Sequence, residues 1–97
     1  MNTALKEYYQ KALQTVQRVT GITDIFHTNK EEAVDARTIL VYVLALKGFS
    51  DNEIAQLTCL TRQGVNKLKN NYKYRKSKWS FVSNLQQTSN ELATNNF

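Results

Sequence analysis

From Thr61 to Asn70 the chain reads TRQGVNKLKN, with polar side chains recurring at spacings of three and four residues. On an α-helix this spacing centres Gln63, Asn66, Lys67, Asn70 and Tyr74 on one side and Val65, Leu68 and Tyr72 on the other. The carboxamides of Gln and Asn can pair bidentately with adenine in a major groove, and Lys and Arg favour guanine. Thr61 and Arg62 stand at the N-terminal end, the end that a reading helix points into the groove. The set expected at base edges is therefore Thr61, Arg62, Gln63, Asn66 and Lys67.

A basic block overlaps this stretch. All seven Lys/Arg after residue 60 fall between Arg62 and Lys78 with no acid among them, whereas residues 1–60 carry six Lys/Arg against seven Asp/Glu. One-sided positive charge suits a polyanion, because each neutralised phosphate releases condensed counterions. Lys69, Asn70, Lys73, Arg75, Lys76 and Lys78 are expected at DNA phosphates. Standing alone, such a run is usually a solvated face. Its end, YKYRKSKW from Tyr72 to Trp79, interleaves aromatics with cations, a pattern that can stack on bases of single strands, although phosphate clamping is the preferred reading.

Other chemistry is sparse. One cysteine and one histidine exclude a disulfide framework and an all-Cys/His zinc site within one chain. His27 has Asp24 near it in sequence but no oriented Ser or thiol partner, so it reads as structural. Cys59 reads as a small turn-filler under a helix crossing. No GxxxxGK[ST] phosphate loop occurs. Neither enzymatic activity nor a cofactor is expected. The cysteine usage suggests a reducing compartment, and the longest apolar run, Ile39 to Leu46, is far shorter than the ~20 residues of a membrane span. With no signal-peptide layout at the N-terminus, a soluble cytoplasmic protein without membrane contact is expected.

The elements that must position the polar face can be read from periodicity. Ninety-seven residues at 41% hydrophobic content allow one domain with one core. Leu5, Tyr8, Tyr9, Ala12, Leu13, Val16 and Val19 predict a helix over 3–20, with Gly21 as its left-handed cap. Ile22, Ile25 and Phe26 suggest one helical turn under the core. Ile39 to Val43 looks like a strand by composition, yet the Thr28/Glu31 capping-box spacing, early acids and Gly48 as a stop favour one buried helix over 29–47. Ser50/Glu53 repeats the capping spacing and opens a helix to Thr58, and Thr61 caps another to about Tyr72.

These last two form a helix-turn-helix over about 51–70. With Asp51 as position one, Ile54, Ala55, Leu60, Val65 and Leu68 occupy positions 4, 5, 10, 15 and 18, where the motif wants apolar or small residues. Position 9, commonly Gly because the turn is left-handed, is Cys59, so a slightly remodelled turn is expected. Gly64 inside a helix costs ~1 kcal/mol against Ala, which suggests a close approach to DNA or to the neighbouring helix.

VDARTILVYVL at Val34 to Leu44 is similar to the ARQIAMYL helix, and GFSDNEIA at Gly48 to Ala55 to the LSLPEIG entry, of a known family. The chain thus resembles the C-terminal DNA-binding domain of the bacterial replication initiator DnaA and, more broadly, the Trp-repressor-like helix-turn-helix group, across Val16 to Asn70. The resemblance implies that Arg37 contacts the DNA backbone. TRQGV at Thr61 to Val65 replaces the family's GGRDHTTV signature, so only the scaffold and Arg37 carry over.

Beyond the block, a polar helix over 77–93 carries a stripe of Trp79, Val82, Leu85 and Leu92, with a frayed tail over 94–97. Trp79, Phe81 and Val82 are expected to cover the core or a second subunit. So narrow a stripe needs an acceptor, and a homodimer through this helix is expected, with recognition helices ~34 Å apart. The fold expected is all-α, of about five helices. The function expected is sequence-specific double-stranded DNA binding, as a transcription regulator or a mobile-element or replication accessory factor. The competing readings are a helical protein-protein adapter without nucleic-acid binding and an RNA-binding module.

Overall fold

The β-prone run Ile39-Leu40-Val41-Tyr42-Val43 lies in the middle of a helix. In the computed structural model, which describes residues 3–94, the chain forms α1 (Thr3–Thr20), α2 (Glu31–Lys47), α3 (Asp51–Thr58), α4 (Arg62–Arg75) and α5 (Trp79–Thr94), with no strand among the described residues. Helix α2 buries Ala33, Ala36, Thr38, Ile39, Leu40, Val41, Val43 and Leu44, which point in nearly every direction around its axis. Such a helix is stable only when wrapped, and α1, α3, α4 and α5 all pack on it.

The ends of α2 differ in quality. At its C-terminus Gly48 takes φ 112°, donating to Ala45 O, while Phe49 N donates to Leu44 O at 3.1 Å, the paired bonds of a Schellman stop. Phe49 is thereby turned into the core, its ring 5.8 Å from that of Tyr8. At the N-terminus the expected Thr28/Glu31 capping box does not form. Lys30 is the cap residue and makes no side-chain cap bond, Thr28 Oγ1 accepts from Lys30 N, and Glu31, the first helical residue, pairs with Lys78.

Helix α1 buries Tyr8, Tyr9, Ala12, Thr15 and Val16 and stops at Gly21 (φ 73°), as its periodicity predicts. The segment that follows corrects an expectation: Ile22, Ile25 and Phe26 lie in an irregular connection rather than a helical turn. Ile25 is nevertheless buried, and the segment is held by side chains instead of a backbone ladder. Asp24 Oδ1 accepts from His27 N at 3.0 Å and faces His27 Nδ1, and these contacts hold the Asp24 carboxyl below its usual range. Arg37 reaches across from α2, with Nε donating to Ile25 O at 2.7 Å and Nη2 to Thr28 O at 2.6 Å.

Helix α5 also departs from the expected phase. Its inward stripe is Phe81, Leu85, Thr88 and Leu92, while Trp79 is 82% and Val82 40% exposed. The acceptor is the chain's own α1 and α2, joined by the Arg18–Glu91 ion pair, so the helix completes the core of one chain. The helix therefore needs no second subunit to dock on, contrary to the expectation from its narrow stripe. Thr94 belongs to this helix, and the remainder of the expected frayed tail, 95–97, lies outside the described residues.

Because Phe81 is 1% exposed and packs on Tyr72, Phe81→Ala is expected to cost about 3–5 kcal/mol in urea denaturation. Trp79→Ala should change stability by less than about 0.5 kcal/mol, as surface changes usually do. A chain ending at Lys76 should show no cooperative unfolding transition.

Candidate nucleic-acid interface

The polar face of α4 depends on how its other face is fixed. Val65 is fully buried and Leu68 nearly so, and Ile54 of α3 is fully buried with them. Farther along, Tyr72 stacks on Tyr42 of α2 with ring centroids 4.1 Å apart and planes 11° from parallel, and touches Phe81 from the other side. Burial, and then the neighbouring Tyr72 hydroxyl, raise the Tyr42 phenol above its ordinary pKa. The apolar side of α4 is thus anchored at both ends, to α3 and to α2.

The entrance to α4 is set by two reciprocal local devices. Ser50 Oγ accepts from Glu53 N, and the Glu53 carboxylate accepts from Ser50 N at 2.8 Å, a complete capping box that starts α3. Thr61 Oγ1 accepts from Gly64 N at 2.9 Å and starts α4. This contact also accounts for Gly64. A Cβ there would lie 3.1 Å from Thr61 Oγ1, so the glycine leaves room for the cap hydroxyl rather than for the neighbouring helix.

Between the two helices Cys59 adopts φ 62°, the only non-glycine positive φ among the described residues. The left-handed turn is kept and not remodelled, with cysteine bearing the strain usually avoided by glycine. Nor is Cys59 a filler beneath the crossing, since its side chain is exposed.

With α4 held in this way, all five residues expected at base edges, Thr61, Arg62, Gln63, Asn66 and Lys67, are exposed on one face. Asn70, Lys73 and Tyr74 continue it, and Lys76, the C-cap residue, is exposed just beyond the helix end. A shallow depression at its start is lined by Arg62, Gln63, Asn66 and Asp51.

The remaining cations have internal tasks. Lys69 Nζ pairs with Asp51 Oδ1 at 2.8 Å, tying α4 to the start of α3. Arg75 pairs with Asp35, and Lys78 Nζ lies 2.7 Å from Asp35 Oδ2 and 2.9 Å from Glu31 Oε1. Arg37 is occupied by the loop carbonyls described above. Lys69, Arg75, Lys78 and Arg37, all expected at phosphates, therefore brace the scaffold, while Arg62, Lys67, Lys73 and Lys76 have no carboxylate partner among the described residues. Sequence reasoning missed Asp35 as the anchor of this corner. The one available signal was that α2 opens with Glu31, Glu32 and Asp35 while the basic block contains no acid of its own.

Asp35 keeps Lys78 protonated to above the usual lysine pKa, chiefly by accepting its hydrogen bond. That stabilisation is present at neutral pH and is lost only as pH rises through the raised lysine value. Among the described residues no helix is long and apolar enough to cross a membrane. No protein-family model, curated protein or solved structure matches the chain.

Asp35→Asn leaves Arg75 and Lys78 without their shared carboxylate. It is expected to cost about 2 kcal/mol in chemical denaturation, below the ~3–5 kcal/mol of a fully buried pair because Asp35 and Arg75 keep 14% and 19% exposure. Cys59→Gly relieves the left-handed strain but adds freedom to the unfolded chain, for a net gain of roughly 0.5 kcal/mol. Cys59→Val should destabilise in the same measurement, since β-branched residues resist positive φ.

Proposed function

We propose that α3 and α4 act as a helix-turn-helix that binds double-stranded DNA, with α4 entering the major groove and reading base sequence. The observation that carries this reading is the division of the basic block. Lys69 and Arg75 on α4 and Lys78 just beyond it are neutralised by Asp51, Asp35 and Glu31, whereas Arg62, Lys67 and Lys73 stand exposed on α4 among Gln63, Asn66 and Asn70, with Lys76 exposed at its C-cap. A face that interleaves carboxamides with cations bearing no carboxylate partner supplies both base-edge and phosphate contacts.

In this reading Thr61, Arg62, Gln63, Asn66 and Lys67 meet base edges, and Asn70, Lys73 and Lys76 meet phosphates. The half-buried acid Asp51 beside the start of this face is compensated by Lys69 and so does not repel the backbone. The likeness of Val34 to Ala55 to the initiator and Trp-repressor-like scaffolds supports the same use of the fold. Nothing in the arrangement requires a second subunit for folding, and a dimer, if formed on DNA, would serve affinity through two half-sites.

Selection of bound sites from a random duplex pool provides the ligand for the test. On the selected site, alanine at Gln63, Asn66 or Lys67 should each cost about 1–3 kcal/mol, with little loss on random DNA. The salt slope of log affinity should flatten by about 0.9 for each of Lys73→Gln and Lys76→Gln if each contacts one phosphate. Arg75→Gln should chiefly lower stability. Equal losses on both DNAs would remove base readout, and absence of duplex binding would favour the adapter reading.

A further inference from the structure

The depression at the start of the α4 face is lined by Arg62, Gln63 and Asn66, all expected at base edges, and by one acid from another helix, Asp51 of α3. Arg62, Asn66 and Lys69 fall at i, i+4 and i+7, along one stripe of α4. Asp51 stands against that stripe, because its Oδ1 accepts from Lys69 Nζ at 2.8 Å while the residue lines the depression with Arg62 and Asn66. Its side chain keeps 30% exposure. The carboxylate is therefore held in place by an ion pair and still reachable from the depression.

The four lining groups differ in what they can do at a base edge. A guanidinium only donates, while the carboxamides of Gln63 and Asn66 donate at one end and accept at the other, so a turn of the amide suits either kind of edge. A carboxylate only accepts. It has about four lone-pair sites, so Lys69 neutralises Asp51 toward phosphates without exhausting it as an acceptor. Of the four, only Asp51 cannot meet a carbonyl. In a major groove the carbonyls are guanine O6 and thymine O4, and the amino groups are cytosine N4 and adenine N6. Asp51 against O6 or O4 would set two acceptors face to face with no hydrogen between them, an unpaired contact that discriminates against those bases.

We propose that Asp51 is a specificity-determining residue of the duplex site, accepting a hydrogen bond from the exocyclic amino group of cytosine or adenine and rejecting guanine and thymine at that position. The inference rests on the duplex-binding reading above and deepens it, adding to the base contacts of α4 one made from α3.

The full chain, Asp51→Asn and Lys69→Gln are titrated with the selected duplex carrying each of the four base pairs at every position in turn, and far-UV circular dichroism checks that each variant is folded. In the unsubstituted chain one position should bind cytosine or adenine about tenfold more tightly than thymine or guanine, and the four-base comparison tells which amino group is used. Asp51→Asn, whose amide can donate, should bring that ratio close to unity at this position alone. Lys69→Gln keeps the carboxylate and should keep the ratio. A measurement that needs no variant replaces the preferred base by its analogue lacking the amino group, 2-pyrimidinone for cytosine or purine for adenine. The unsubstituted chain should lose about tenfold in affinity, and an undiminished affinity overturns the contact. An equal change for all four bases in Asp51→Asn, as from altered stability or charge, also overturns it while leaving the duplex reading in place. Absence of duplex binding by the unsubstituted chain refutes both.

Discussion

A helix that is apolar nearly all round must be covered on every side, and the rest of this molecule is arranged to cover α2. Helix α1 and helix α5 wrap one side, and α4 lies along another with α3 touching the C-terminal end through the Gly48 stop. The hydrophobic effect is non-directional, so burial of Ile39, Leu40, Val41 and Leu44 does not by itself choose which face of each neighbour is turned inward. That choice falls to specific contacts. Tyr42 stacking on Tyr72 fixes the rotation of α4, and the Schellman stop aims Phe49 at Tyr8.

Electrostatics then divide one basic block into two populations. Asp35 lies at an inner corner and takes both Arg75 and Lys78, which locks the far end of α4 to α2. Asp51 does the same for Lys69 near the other end. Partly buried pairs of this kind add modestly to stability after desolvation, but they hold geometry, and here they hold the direction in which α4 presents its outer face. Of the cations left over, Arg62, Lys67 and Lys73 stand on the outer face with Gln63, Asn66 and Asn70, and Lys76 lies at the end of the helix. The proposed interface is thus a remainder, defined by which charges the scaffold uses for itself.

The connection between α3 and α4 places the strain where the two helices must meet. Thr61 and Gly64 cooperate in the cap, and Cys59 accepts a left-handed conformation that a glycine would adopt without cost. Ile54 and Val65 are fully buried in the core, and Ala55 and Leu60 are half-buried against it.

What the sequence determined by itself is what depends on neighbours within one helical turn. The bounds of α1, the Gly21 and Gly48 stops, the Ser50/Glu53 box, the Thr61 cap and the two faces of α4 all follow from hydrogen bonds and side-chain spacing three or four residues apart. Even there, Thr28 and Glu31 had capping spacing without capping, because α2 begins at Glu31 with Lys30 as its cap, so Glu31 stands at the first helical position rather than the third. The tertiary structure decided what depends on residues far apart in the chain. Asp35 and Arg75 are 40 positions apart, so no local pattern could say that Arg75 is spent internally and Lys73 is not. The phase of α5 was equally closed to periodicity, because a polar helix offers alternative narrow stripes. The one containing Phe81 wins because α1 and α2 already provide a matching surface, which leaves Trp79 outside.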